Sequence, residues 1–196
     1  MKDNRLGLLR ERGAHLVIVD VEATCWAEDA PSPNEIIEIG AVAYRLGQGQ
    51  CDEFQTFVRP QLEPVLSPFC KDLTGIRQQN VDGAPSFPEA FDHFLCWTGD
   101  PALFTLASWG AYDHMQFRQD CALHHVPYPI ERHLNLKKLC RDLLGWHKPC
   151  GMADALRRLG LPLEGTHHRG IDDARNIARI VDCMFLTLDW PDPPSA

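Results

Sequence analysis

The stretch LVIVDVEATC, Leu16 to Cys25, limits the fold more than any other part of the chain. Leu16, Val17, Ile18, Val19 and Val21 give it the apolar, β-branched character of a strand buried on both faces. Two carboxylates, Asp20 and Glu22, nevertheless sit in the same run. Side chains alternate along a strand, so residues two apart project from one face, and carboxylates held together away from water repel. No Lys or Arg lies within several residues of the pair. Basic groups could arrive from elsewhere in the fold, a cation could lie between the two, or the strand could end at Val19 with the pair solvated in a loop.

The rest of the chain supplies layers for such a strand. NEIIEIGAVAYRL and CDEFQTFVRP read as second and third strands, joined by a hairpin near GQGQ, with the third ending at Pro60. SPFCKDLTGI reads as a short helix with a cap at Ser67 and a stop at Gly75, and SFPEAFDHFLCWTG as a helix from the Ser86 cap to Gly99. ALFTLASWG is a fourth strand leading into the helix AYDHMQFRQDCALHH. A strand or turn lies near His133 to Leu136, followed by helices in LKKLCRDLLG, GMADALRRLGL and IDDARNIARIVDCMFLTL. The last carries an apolar stripe of Ala174, Ile177, Ala178, Val181, Phe185 and Leu188. A three-stranded meander followed by alternating strands and helices predicts an α/β sheet with helices on both faces.

The 196 residues suffice for one domain with a substantial core. No stretch approaches the roughly 18 to 20 apolar residues of a membrane span, and the first fifteen residues lack the apolar core of a signal peptide, so the expected location is cytoplasmic. The eight cysteines never form a C-x-x-C pair and read as small core residues in a reducing compartment. A net charge of −8 argues against coating nucleic acid by bulk electrostatics, though an acidic site neutralised by cations escapes that objection.

Further acidic residues fall at the ends of elements. Asp113 sits in the first turn after the fourth strand, where it could serve a site or simply complement the helix dipole. In HHRGIDDARNIA, Asp172 and Asp173 open the last helix and His168 lies in the loop before it. Asp172 is accounted for as a first-turn charge, whereas Asp173 adjoins the inward stripe at Ala174. Metal-assisted hydrolysis of phosphate esters needs this inventory: carboxylates to hold cations about 3.5 to 4 Å apart, and a base near neutrality to take a proton from water.

These residues carry a resemblance to the DEDDh 3′-to-5′ exonucleases. DVEATC resembles that family's D-x-E first motif, Asp113 the second, and HRGIDDA the third, in whose spacing His168 pairs with Asp173. SPFCKDLTGIRQQNVDGAPSFPEAF and GIDDARNIARI are similar to segments of the Eri-1-like subgroup, which includes the animal histone-mRNA 3′ exonuclease and bacterial single-domain proteins. The resemblance runs from about Ala14 to Leu188, with residues 1–13 and 189–196 expected as tails. It implies a ribonuclease H-like fold with a five-stranded mixed sheet. It further implies two Mg²⁺ or Mn²⁺ ions held by Asp20, Glu22, Asp113 and Asp173, with His168 as general base. Glu22, Ala23 and Thr24 would contact the terminal nucleotide, Phe69 and Leu73 would wall the pocket of its base, and Tyr112 would stand where the animal enzymes have tryptophan. For Phe69 and Leu73, ordinary packing of a helix against the core is the alternative.

The implied activity is removal of nucleoside 5′-monophosphates from single-stranded 3′ ends of RNA, DNA or short oligonucleotides. Two other readings are an interaction or regulatory protein on the same fold and a hydrolase of small phosphodiesters. The animal enzyme carries an additional nucleic-acid-binding domain ahead of its nuclease, and only about fifteen residues precede the first strand here, so stem-loop recognition is not implied. Among the basic residues, Arg10, Arg12, Lys137, Lys138, Arg157 and Arg158 read as solvated faces, and Arg169 as a candidate phosphate contact. His167 reads as an exposed loop residue. No protein partner is indicated.

Overall fold

The computed structural model describes residues 15–46 and 48–186. Arg10, Arg12, Leu188 and both expected tails lie outside them. Five strands, β1 (His15–Ala23), β2 (Ile36–Arg45), β3 (Gly49–Phe57), β4 (Phe104–Ser108) and β5 (His133–Asn135), form one sheet of order β3-β2-β1-β4-β5. β1–β2 and β2–β3 are antiparallel, while β1–β4 and β4–β5 are parallel. This is the expected five-stranded mixed sheet, with β1 at its centre.

Among the described residues the helices, in chain order, are α1 (Pro68–Thr74), α2 (Gln78–Asp82), α3 (Phe87–Thr98), α4 (Tyr112–Leu123), α5 (Leu136–Leu143), α6 (Met152–Arg158) and α7 (Gly170–Leu186). Their ends follow local chemistry. The Ser67 hydroxyl accepts the Cys70 N–H at the start of α1, and Gly75 ends that helix in the left-handed region at φ 68°, where a side chain would be strained. Ser86 opens α3 with Glu89 accepting its N–H at 2.8 Å, and Gly99 closes it. The short α2 is absent from the sequence reading, because its N-cap is Arg77, a residue with no capping preference; the Arg77 N–H is taken by Asn80 Oδ1. β3 stops at Phe57, three residues before Pro60.

Burial divides β1 as its alternation requires. Val17, Val19 and Val21 pack with the phenylalanines of α3 (Phe87, Phe91, Phe94) and with Phe117 of α4. Leu16 and Ile18 pack on the opposite side with Val42, with Leu136 and Leu139 of α5, with Met152, Ala155 and Leu156 of α6, and with Ala174, Ile177 and Val181 of α7. A smaller cluster of Ile37, Leu66, Cys70, Ile76 and Val81 seats α1 and α2 beside the C-terminal end of β1. No cysteine pairs into a disulfide. No helix among the described residues is long and apolar enough to cross a membrane.

Candidate active site

Past Ile18 the even-numbered face of β1 changes from apolar to Asp20 and Glu22. Oxygens of Asp20, Glu22 and Asp173 lie within 4.8 Å of one another, so the first motif and the last helix meet. Glycines permit that meeting. Gly40 is the cross-strand partner of Asp20, and a Cβ on it would overlap the backbone of Gly170 and Ile171. A Cβ on Gly170 would stand 2.8 Å from the Asp20 carbonyl oxygen. The start of α7 therefore rests directly on the backbone of β1 and β2, which carries buried Asp173 to the two strand carboxylates.

Asp113 arrives by a different route. The β1–β4 ladder covers only His15–Ile18, so further along β1 the N–H of Val21 has no β4 partner. Asp113, buried in the first turn of α4, accepts it through Oδ1 at 3.1 Å. The carboxylate thereby replaces a rung of the ladder at the point where β1 and β4 separate, a usual place for a site in an open α/β sheet.

The resulting cluster is electrostatically loaded. Burial pushes the Asp20 carboxyl well above its usual range, and the charges of Asp113, Asp173, Glu22 and Glu38 push it further. Burial and then Asp173, Glu38 and Asp113 raise Glu22 to about 8, with Arg169 opposing. Burial raises Asp113 to about 6 against the opposing Val21 hydrogen bond. Asp173 is raised by burial, with His167 as the largest opposing influence.

The basic group that comes from elsewhere is Arg169, and it is already engaged. Glu38, fully buried on β2 as the partner of Glu22, accepts Arg169 Nε at 3.0 Å, the Gly170 N–H at 3.1 Å and Gln55 Nε2 at 2.6 Å. Arg169 also lies over the Phe57 ring. The pair clamps the loop before α7 to the sheet. The partner was missed because Glu38 lies 131 residues away in sequence; the only signal was a glutamate in the middle of EIIEIGAVA. Arg157 pairs with Asp154 and Arg158 lies over Trp146, in keeping with solvated helix faces.

His168 adopts left-handed backbone geometry at φ 63°, and its N–H donates to Asp173 Oδ2 at 3.0 Å. Burial, with His167 beside it, lowers its pKa, which favours the neutral imidazole, the form that can accept a proton. His167 is more than a loop residue: its Nδ1 lies 2.9 Å from Asp173 Oδ2 and its ring stacks on that of His168 with centroids 4.0 Å apart. Asp172 stands apart from the cluster, accepting the Thr166 N–H and Arg175.

The residues expected around a terminal nucleotide divide into two sorts. Ala23 and Thr24 are buried, and the Thr24 hydroxyl accepts the Glu35 N–H at 2.9 Å, so that side chain holds the strand end in place. Phe69, Leu73 and Tyr112 are 40%, 38% and 54% exposed, which is unlike helix-to-core packing. Phe69 and Leu73 are one helical turn apart on α1.

The donor chemistry fits hard divalent cations. Clustered carboxylate oxygens raised by burial and mutual repulsion, with their nearest guanidinium tied to Glu38, form a set that Mg²⁺ or Mn²⁺ would neutralise.

Fold and cluster together define a ribonuclease H-like nuclease domain. The nuclease domain of 3′hExo, a DEDDh family member bound to rAMP, superposes with a TM-score of 0.80 at 31% identity over 88% of this chain and 92% of that one. The chain belongs to the RNase_T exonuclease family, which it matches over residues 17–181. ERI1 exoribonuclease 2 of Danio rerio is 32% identical over 92% of this chain and 37% of its own length. The 3′-5′ exonuclease Snipper of Drosophila melanogaster is 30% identical over 86% of this chain and 68% of its own. The chain spans about a third of the length of the ERI1 exoribonuclease 2 relatives.

Proposed function

We propose that this chain is a metal-dependent 3′-to-5′ exonuclease acting on single-stranded ends, chiefly of RNA, and releasing nucleoside 5′-monophosphates. The convergence of Asp20, Glu22 and Asp173 from opposite ends of the chain carries the reading, since three crowded carboxylates have no structural use that apolar residues would not serve better. The RNA preference is supported by the exoribonuclease relatives and by the 3′hExo domain bound to rAMP. Eight unpaired cysteines favour a reducing, cytoplasmic setting. Residues 14–188 are proposed as the catalytic domain.

Two Mg²⁺ or Mn²⁺ ions held by Asp20, Glu22, Asp113 and Asp173 would supply Lewis-acid polarisation of the phosphodiester and stabilise charge on the leaving 3′-oxygen. His168 takes the proton of the attacking water, and the bond from its N–H to Asp173 fixes the loop that carries it. The Glu38–Arg169 pair holds the same loop from the other side. Phe69 and Leu73 wall the terminal base and Tyr112 stacks on it, while Glu22 and the backbone at Ala23 and Thr24 hold the terminal sugar.

End-labelled RNA and DNA oligonucleotides with free or phosphate-blocked 3′ ends, incubated with Mg²⁺, Mn²⁺ or chelator, test this. Stepwise shortening is expected only with a free 3′ end and a divalent ion. Cleavage restricted to dinucleotides, or none with either ion, refutes it.

A further inference from the structure

We propose that His167, His168 and Asp173 form a second cation site, suited to a zinc-class ion, which shares Asp173 with the carboxylate cage and silences the enzyme when filled. Ligand atoms of the three residues lie within 4.8 Å of one another. The only other group of three that closes to this spacing among the described residues is Asp20, Glu22 and Asp173. The two sets differ in chemistry. The cage offers oxygens alone, which suit Mg²⁺ and Mn²⁺, whereas the histidine set offers two imidazole nitrogens and one carboxylate oxygen, a donor set typical of zinc with one position left for water.

The arrangement is already collected without an ion. His167 Nδ1 is 2.9 Å from Asp173 Oδ2 and the His168 N–H holds Asp173 Oδ2 at 3.0 Å; the two imidazoles are stacked with an interplanar angle of 18°, so the more exposed His167 ring must turn out of the stack for both lone pairs to meet one ion. The His167 side chain is 40% exposed, so an ion can enter from outside. The paired imidazoles of His114 and His133 stack as well, but their nitrogens face Tyr128 and Ser108 and gather no carboxylate into a third ligand.

Filling the histidine site occupies Asp173 and a ring nitrogen of His168 at once. The cage loses a ligand and the reaction its base, so a zinc-class ion acts as an inhibitor rather than a substitute for Mg²⁺. The binding part of this proposal stands on geometry; the inhibitory part rests on the nuclease reading above.

Titration of the metal-free protein with Co²⁺ tests the binding part, because the visible spectrum of Co²⁺ reports nitrogen ligation and low coordination number. The expected result is one equivalent bound with intense bands, displaced by Zn²⁺ and not by excess Mg²⁺. His167→Gln should weaken Co²⁺ binding at least about tenfold, the least that loss of even a supporting group costs a metal site, while the Mg²⁺-induced rise in melting temperature persists. His147→Gln, which alters an exposed imidazole elsewhere, should leave the spectrum unchanged. Equal Co²⁺ affinity in wild type and His167→Gln, or displacement by Mg²⁺ as readily as by Zn²⁺, overturns the site. In the oligonucleotide assay at saturating Mg²⁺, Zn²⁺ should stop the wild type at concentrations that leave His167→Gln active. Cleavage untouched by Zn²⁺ that displaces bound Co²⁺ overturns the inhibitory part. A wild type that cleaves nothing in Mg²⁺ overturns the nuclease reading, and the Co²⁺ spectrum still decides the site.

Discussion

The two faces of β1 are built for opposite purposes. Val17, Val19 and Val21 stay apolar to the end of the strand and bury against a wall of phenylalanines, with Phe91 stacked between Phe87 and Phe94. Leu16 and Ile18 begin the other face in the same way, and Asp20 and Glu22 then end it in repulsion. One strand thus carries stability on one side and stored electrostatic cost on the other. The apolar face buries the central strand on one side while the charged face meets the start of α7. Carboxylates that repel need such a scaffold, because the cluster would otherwise open.

That contrast can be tested from its strongest point downward. Asp20→Asn should reduce metal-dependent cleavage to background while raising the melting temperature of the metal-free protein, since it removes a repelling charge and keeps the shape; cleavage near wild type refutes the assignment. His168→Ala should slow single-turnover cleavage by roughly 10² to 10⁴ with thermal stability nearly unchanged; a rate within about twofold of wild type removes it as the base.

On the opposite face, Phe91→Ala should cost about 3 to 5 kcal/mol in denaturant unfolding while the folded fraction keeps its cleavage rate. A specific loss of catalysis there would show that the faces are not separable. Gly40→Ala joins the two effects: its methyl forces the α7 terminus off the sheet, so about 1 to 3 kcal/mol of stability and the metal response should fall together.

The mildest test is pH. Glu22 has an ordinary value of 4.5 and is raised to about 8 in the fold, so the folded state binds more protons than the unfolded between these values. The metal-free protein should therefore lose stability as pH rises from about 5 to 8, and Mg²⁺ should raise its melting temperature more at pH 8 than at pH 5. A flat or rising melting temperature in chelator contradicts the repulsion.

The meander, the caps at Ser67 and Ser86 and the stop at Gly75 were legible because each depends on residues a few positions apart. The D-x-E pair was legible for the same reason: strand alternation alone puts Asp20 and Glu22 on one face. Asp113 and Asp173 were recognisable as residues at helix starts, but only the topology brings them to β1. Glu38 and Arg169 mark the limit. Their pairing spans β2 and the loop before α7, and neither residue's neighbours in sequence indicate the other. The contact of His167 with Asp173 escaped for a subtler reason, since it depends on the left-handed turn at His168.

The backbone contact of Gly40 with Gly170 and Ile171 has a dynamic consequence. Asp173 and His168 are attached to the sheet through the first turn of α7, so one local opening that lifts this turn would remove the proposed ligand and the proposed base together. Amide exchange at Gly170 and Asp173 should then report the same event as cation release. Bound Mg²⁺ should slow that exchange in proportion to its occupancy of the closed state.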